Sequence, residues 1–362
     1  MAKPDKSNNG RKRRIRTRPE TLEERILLSG TWVDADSGEA LDGATDGNDT
    51  FNGMSGDDLA AAMDGDDNLF GNAGDDELFG GAGDDLLSGG DGNDVLDGGT
   101  GNDTATFDDA SSRVVVDLDA GTASGQGSDT LTDIENVTGS DGNDIIRGSA
   151  DANTIDGGAG DDYIEGRGGD DIISGGAGAD VIDAGSGDDL VAGGTGDDLL
   201  IGGTGNNTVT FGQSADSVEV DLEAESATGE GQDTVIGFQN VIGSDHDDSL
   251  LGDATDNTID GGAGDDLIQG RGGDDTLLGV SGIDTIDGGT GNDTIDGGAD
   301  ADVLDGGEGD DLIRGGTGND TIAGGEGVDT LLGEEGDDLI DGGAGNDVVE
   351  GGSGNDQIHG GA

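Results

Sequence analysis

From about residue 43 onward the chain alternates a glycine- and aspartate-rich run with one aliphatic residue, and the rhythm returns every nine positions. Residues 80–103, GGAGDDLLSGGDGNDVLDGGTGND, are typical. The aliphatic series runs through Leu69, Leu78, Leu87 and Leu96, then Ile146, Ile155, Ile164, Ile173 and Ile182. It resumes at Leu250, Ile259, Ile268, Leu277, Ile286 and Ile295 and continues to Ile358. Two longer segments break the period. In them Val114, Val116 and Leu118, and Val218, Val220 and Leu222, alternate with polar residues, the period-two pattern of a half-buried strand.

Two residues before each aliphatic stands the aspartate of a Gly-x-Asp marker. The first block carries Asp49, Asp58, Asp67, Asp76, Asp85, Asp94 and Asp103. The second carries Asp144, Asn153, Asp162, Asp171, Asp180, Asp189, Asp198 and Asn207. The third carries Asp248, Asn257, Asp266, Asp275, Asp284, Asp293, Asp302, Asp311, Asp320, Asp329, Asp338, Asp347 and Asp356. Twenty-eight copies in register define the unit Gly-Gly-x-Gly-x-Asp-x-U-x, with U aliphatic.

The two interruptions are copies of each other: TATFDDASSRVVVDLDAG answers TVTFGQSADSVEVDLEAE, at an offset of 104 residues that the flanking repeats share. A duplicated segment accounts for this. The expected organisation is a basic segment over 1–30, repeats over 31–103, an insert over 104–143, repeats over 144–207, a second insert over 208–247, and repeats over 248–362. The inserts read as wider coils that continue the same architecture. A ligand-binding bulge is the competing reading.

Composition sharpens the problem. Among 362 residues there are 80 glycines and 84 acidic side chains against 14 Lys and Arg, for a formal charge of −70. Such a chain repels nucleic acids and anionic membranes, and cations are its natural partners. Aromatic residues make up 2% of the chain and Cys is absent, so neither a large conventional core nor disulfides can hold it. No apolar run approaches a membrane span of ~18 residues. Low hydropathy with high net charge is the signature of disorder, and the periodicity is what argues otherwise.

The repeat unit resembles the hemolysin-type, or RTX (repeats in toxin), calcium-binding family over most of residues 43–362. That resemblance implies an all-β, right-handed parallel β-roll or β-helix solenoid in which six residues turn, three form a strand and two repeats make one coil. It also implies that an ion lies between stacked loops, held by the marker aspartates together with loop carbonyls. The metal-ligand set expected is therefore the aspartates among the markers above; Asn153, Asn207 and Asn257 lose the charge. Asp300 and His246 replace loop glycines and should weaken their sites. One aliphatic residue per nine cannot offset the ordering of a glycine-rich backbone, so the bare repeat should not fold. Calcium suits carboxylate and carbonyl oxygens in flexible geometry better than magnesium does. One ion per stacked pair gives about 22 sites and would cut the charge to about −26. Calcium at extracellular levels would then set the fold, leaving the chain disordered inside the cell and folded outside.

Catalysis finds no foothold. His246 and His359 are the only histidines, HExxH and GxSxG are absent, and all three lysines (Lys3, Lys6, Lys12) precede the repeats. Carboxylate pairs such as Asp84–Asp85 recur too often for a single active site. DADSGEALDG from Asp34 misplaces the turn glycine of an EF-hand, and the variable residue after the marker does not make a flat ice-binding ladder. The N-terminal NGRKRRIRTRPETLEERILLSG is basic and then amphipathic, and too short in its apolar core for a signal peptide. Leu22–Ser29 is similar to the LEPR-type motif of bacterial surface and secreted proteins, with Glu24 in the usual place of Pro.

The chain reads as a non-enzymatic, calcium-binding structural module, secreted or at the bacterial cell surface. Rival readings are the calcium-dependent repeat region of a larger toxin, protease, lipase or epimerase, and an adhesin or surface-layer component. The sequence stops a third of the way into a repeat with no polar cap, which points to a longer polypeptide or to export through the N-terminal motif. Head-to-tail association of uncapped coils and a cell-surface polysaccharide are the partners such a module would meet.

Overall fold

The computed structural model describes residues 44–362, and within them every regular element is a β-strand. The basic segment, the motif at Leu22–Ser29 and the loop from Asp34 lie outside the described residues. Successive strands go to opposite sheets. Thr50–Asn52 pairs in parallel with Asn68–Phe70, which pairs with Leu86–Ser88. The intervening Leu59–Ala61 pairs with Glu77–Ala82 and then Val95–Thr100 in the other sheet. Within the repeat blocks the register is eighteen, Phe51 on Leu69 on Leu87, so two nine-residue repeats complete each coil of a parallel β-solenoid.

Each three-residue strand turns its middle residue inward, because side chains alternate across a strand. Leu69, Leu78, Leu87 and Ile164 are fully buried, and beside Ile164 the side chains of Tyr163 and Glu165 are more exposed. The core is thus one file of aliphatic side chains per sheet, stacked along the axis, with no third layer. Ile172 and Ile173 show the division in adjacent residues: 53% and 1% exposed.

Glycine is dictated by how closely successive turns stack. Gly176 has φ +101° and Gly178 φ +142°, and a Cβ on either would press into the carbonyl oxygen of Gly158 or Gly160 one coil away. A residue without a side chain meets both demands with least strain, although Asn72, Arg167, Arg271, Val280 and Glu334 take positive φ at the position of Gly176 in other repeats.

The inserts continue the hydrogen-bonded stack but widen one sheet. Val115–Asp117, Thr122–Ser124 and Ser128–Thr132 form an antiparallel meander. Its last strand pairs in parallel with block one (Thr130 on Val95), and its first with block two (Val115 on Ile145). In the other sheet Asn136 sits directly on Thr104. One sheet therefore gains two strands that the other lacks. The second copy repeats this with Glu219–Asp221, Ser226–Thr228 and Gln232–Ile236. Phe107 and Phe211 are buried at the mouths of these wider coils, which contain most of the aromatic side chains of the core.

Ile173→Ala should lower stability by about 2–5 kcal/mol, whereas Ile172→Ala should stay within about 0.5 kcal/mol of the parent, as measured by denaturant unfolding of the folded chain.

Candidate functional site

The marker aspartates line the two edges where turns stack, and their two carboxylate oxygens do different work. One oxygen accepts from the backbone N–H of the marker one coil upstream: Asp58 N–H to Asp76 Oδ1 at 2.6 Å, Asp76 to Asp94 at 2.8 Å, Asp162 to Asp180 at 2.7 Å, Asp293 to Asp311 at 2.8 Å. The preceding loop residue runs a second ladder the other way, as in Asp75 N–H to Asp57 Oδ1 at 3.0 Å and Asp188 N–H to Asp170 Oδ1 at 2.9 Å. The Asp84 carboxylate accordingly accepts from Asn102 N–H on the exposed ladder and the Asp85 carboxylate from Asp67 N–H on the buried one.

The second oxygen is buried and has no partner. This holds for Asp67, Asp76, Asp85, Asp94 and Asp103, for Asp162, Asp171, Asp180, Asp189 and Asp198, and for Asp266, Asp275, Asp284, Asp293, Asp302, Asp311, Asp320, Asp329, Asp338 and Asp347. It faces a small space kept open by the first glycine of the loop. A Cβ on Gly157 would stand 2.6 Å from Asp162 Oδ2 and 2.5 Å from the carbonyl oxygen of Gly175 in the next coil. Two oxygens thus face one cradle with no hydrogen-bond donor group between them. Buried and unpaired, a carboxylate is costly.

Proton affinity records that cost. Burial is the largest cause, and it pushes Asp94, Asp162, Asp171, Asp266, Asp275 and Asp302 up to about 7. Asp76, Asp85, Asp103, Asp180 and Asp311 rise to about 6. The upstream N–H opposes the rise, and the charges of neighbouring acids add to it.

The first two loops of each block differ. Asp49 accepts from Thr45 N–H (2.6 Å), Asp58 from Met54 N–H (2.8 Å), Asp144 from Ser140 N–H (2.6 Å) and Asp248 from Ser244 N–H (2.6 Å). Asn153 and Asn257 accept likewise from Ser149 and Asp253 N–H. These loops close on themselves. Asn207 keeps a buried amide nitrogen without a partner. Asp356 accepts from Asp338 N–H at 3.1 Å in the last coil. Asp300 adopts φ +81°, yet Asp302 beside it keeps the same geometry as the other markers. His246 N–H bonds to Ser244 Oγ, within a loop whose marker is already satisfied.

Four residues outside the nine-residue register extend the marker ladder through the inserts. Asp129 accepts from Asp94 N–H (3.1 Å) and Asp233 from Asp198 N–H (3.0 Å). Glu135 accepts from Asp103 N–H (2.9 Å) and Gln239 from Asn207 N–H (2.8 Å). GSDTL at 127–131 and GQDTV at 231–235 carry the marker string and were recognisable; Glu135 and Gln239 bear no such string.

The cradles fit a hard cation. Among the described residues no three Asp, Glu, His or Cys side chains converge on one point. The donor set is therefore carboxylate plus backbone carbonyl, all oxygen, the chemistry of calcium rather than of a transition metal.

Fold and loops together define a repeat β-solenoid whose turns present acidic, oxygen-lined cradles. The chain belongs to the family of RTX calcium-binding nonapeptide repeats, whose model matches in overlapping segments over residues 43–105, 131–218 and 242–362. No curated protein matches it. Among solved structures it is similar to a hyperactive, Ca2+-dependent, β-helical antifreeze protein from an Antarctic bacterium, at 23% identity over 83% of this chain and 85% of that one. At a TM-score of 0.20 that likeness bears on neither fold nor function. No helix among the described residues is long and apolar enough to cross a membrane.

Because the folded values of Asp76, Asp162 and the other markers just named lie above the ordinary carboxylate value of 3.8, the metal-free fold binds protons that the unfolded chain releases. Its stability should be greatest below about pH 4 and be lost as pH rises through about 6 to 7. Circular dichroism of the chain in chelator should show β-structure growing on acidification from pH 7.5 to pH ~4.

Proposed function

We propose that the protein is a non-enzymatic structural module that folds on calcium outside the cell. A calcium ion in each cradle would be held by the free marker oxygen and the carbonyl of the facing loop, and would supply the positive charge that the two acceptors lack. The observation that carries this reading is the row of twenty buried aspartate oxygens without a partner. Together with Asn207 and Asp356 they are the downstream members of the 22 stacked loop pairs within the blocks.

Metal binding that exists only in the folded state adds to folding free energy, so calcium concentration becomes the switch. Extracellular calcium modules typically bind at ~0.1–1 mM, well above the level inside a cell. That affinity class favours a chain unfolded during synthesis and folded after export. The acidic surface disfavours nucleic acid and anionic membranes. The outward strand faces, mixed in Thr, Asp and aliphatic residues, favour a scaffold or spacer at the cell surface over an enzyme.

Calcium added to the chelated chain at pH 7.5 should convert a disordered dichroism spectrum to a β-rich one in a steep transition. A β-rich spectrum unchanged by EGTA would refute the reading. Asp275→Asn should remove one or two bound ions by calorimetric titration and raise the calcium midpoint, while Asp274→Asn, on the outer ladder, should leave the ion count unchanged.

A further inference from the structure

We propose that each junction between an insert and the block after it is closed by the protein's own nitrogen donors in place of a metal ion, so that both junctions fold without calcium and seed the roll. This rests on the calcium-driven reading above, and the experiment separates the two.

At the first junction the stacked markers are Glu135, Asn153 and Asp171. The Asn153 amide reverses the usual chemistry. Its Nδ2 donates to the Glu135 carbonyl at 2.7 Å, and its Oδ1 accepts from Ser149 N–H at 2.7 Å. The carbonyl of the first loop glycine, which in a regular coil such as that of Gly175 faces a partnerless carboxylate, is also taken. Arg167 donates from Nη1 to Gly148 O at 2.8 Å. The same guanidinium clasps Asp117 of the insert with two bonds of 2.9 and 2.8 Å. Donors thus stand where other gaps have acceptor facing acceptor. On the opposite edge Asp144 is satisfied by Val114 N–H at 2.7 Å and by Ser140.

The second junction repeats every part at the same offset. Asn257 Nδ2 donates to Gln239 O at 2.8 Å, Arg271 donates to Gly252 O at 2.8 Å, and Arg271 clasps Asp221 at 2.8 and 2.9 Å. Val218 N–H and Ser244 satisfy Asp248. Both arginines hold φ near +75°, a conformation that L side chains rarely adopt and that most other loops give to glycine, with Asn72, Val280 and Glu334 as the other exceptions at this position. A bidentate guanidinium spanning an insert and two coils compensates for that backbone and supplies a tethered cation. Block one has a lesser version: Asn72, also at positive φ, donates to Gly53 O at 2.9 Å.

Hydrogen exchange on the full chain at pH 7.5 in EGTA tests this. Amides of 145–147, 154–156 and 163–165, and of 249–251, 258–260 and 267–269, should exchange at least ~10-fold more slowly than those of 294–299 and 312–317. Calcium should then protect all of them. Asn153→Asp combined with Arg167→Gln should abolish protection at the first junction in EGTA, leave the second as an internal control, regain protection in calcium and bind one additional ion. Equal exchange of junctions and blocks in EGTA overturns the proposal and leaves calcium-driven folding standing. Protection of the whole chain in EGTA overturns the calcium reading, and the seeds with it. Loss of first-junction protection in calcium as well would mark a packing role and also overturn the proposal.

Discussion

A carboxylate oxygen and a carbonyl oxygen facing each other across the gap between coils is the interaction on which everything else in this molecule depends. Coil stacking by itself is well made: backbone ladders, a file of aliphatics in each sheet and carboxylate–amide bonds at 2.6–3.2 Å join every layer to the next. The loops that make the close approach nevertheless bury an acid with one oxygen bonded and the other not. Taking a carboxylate out of water without a partner costs more than the hydrogen bond on its other oxygen returns. The same atoms that set the geometry therefore forbid it until positive charge arrives, and a proton and a divalent ion are the two species that can bring it.

The aliphatic period of nine made the strand spacing legible; that two repeats close one coil was implied by the resemblance to the RTX family, and Leu69 over Leu87 and Ile155 over Ile173 show it. The marker series likewise located the loops that hold the buried acids. Sequence did not disclose that each aspartate divides its oxygens, one for the chain and one for the gap, since that depends on an N–H eighteen residues upstream. Nor did it separate Asp144 and Asp248 from their neighbours. Those carboxylates are claimed by the Ser140 and Ser244 N–H and hydroxyl groups, and a Gly-Ser pair reads as an ordinary variation of Gly-Gly. Arg167 stands at a repeat position that Gly158 and Gly176 occupy in the neighbouring loops, and sequence alone assigned it no role. Its meaning lies at Asp117, fifty residues away, where the guanidinium holds the carboxyl below the usual range while burial pushes Asp162 and Asp171 above it.

The inserts and the repeats solve one stacking problem by different means. In the repeats, glycine clears a space, aspartate and carbonyl line it, and the compensating charge comes from solution. Around the inserts the compensation is covalently attached, as amide nitrogens and guanidinium groups, and most of the aromatic residues of the core gather there as well. A tethered donor is always present at high effective concentration, whereas an ion is present only when its activity permits. The chain thus alternates stretches whose folding is unconditional with stretches whose folding is conditional.

That alternation bears on cooperativity. In a solenoid each coil contacts only its neighbours, so stability is a sum of unit and interface terms, and folding spreads from wherever it first starts. A chain of identical, individually unstable repeats has no preferred starting point, and a nucleus anywhere must order several coils and load several ions together. Two internal coils that are already closed remove that requirement: the next loop finds a formed edge, a waiting N–H for its marker, and one half of a cradle. The first ion then binds to a site half built, and each later ion binds to a site completed by the one before. Two starts 104 residues apart bracket block two, whose coils can grow from either edge, while block one and the longer third block, thirteen markers from Asp248 to Asp356, each grow outward from one junction in a single direction.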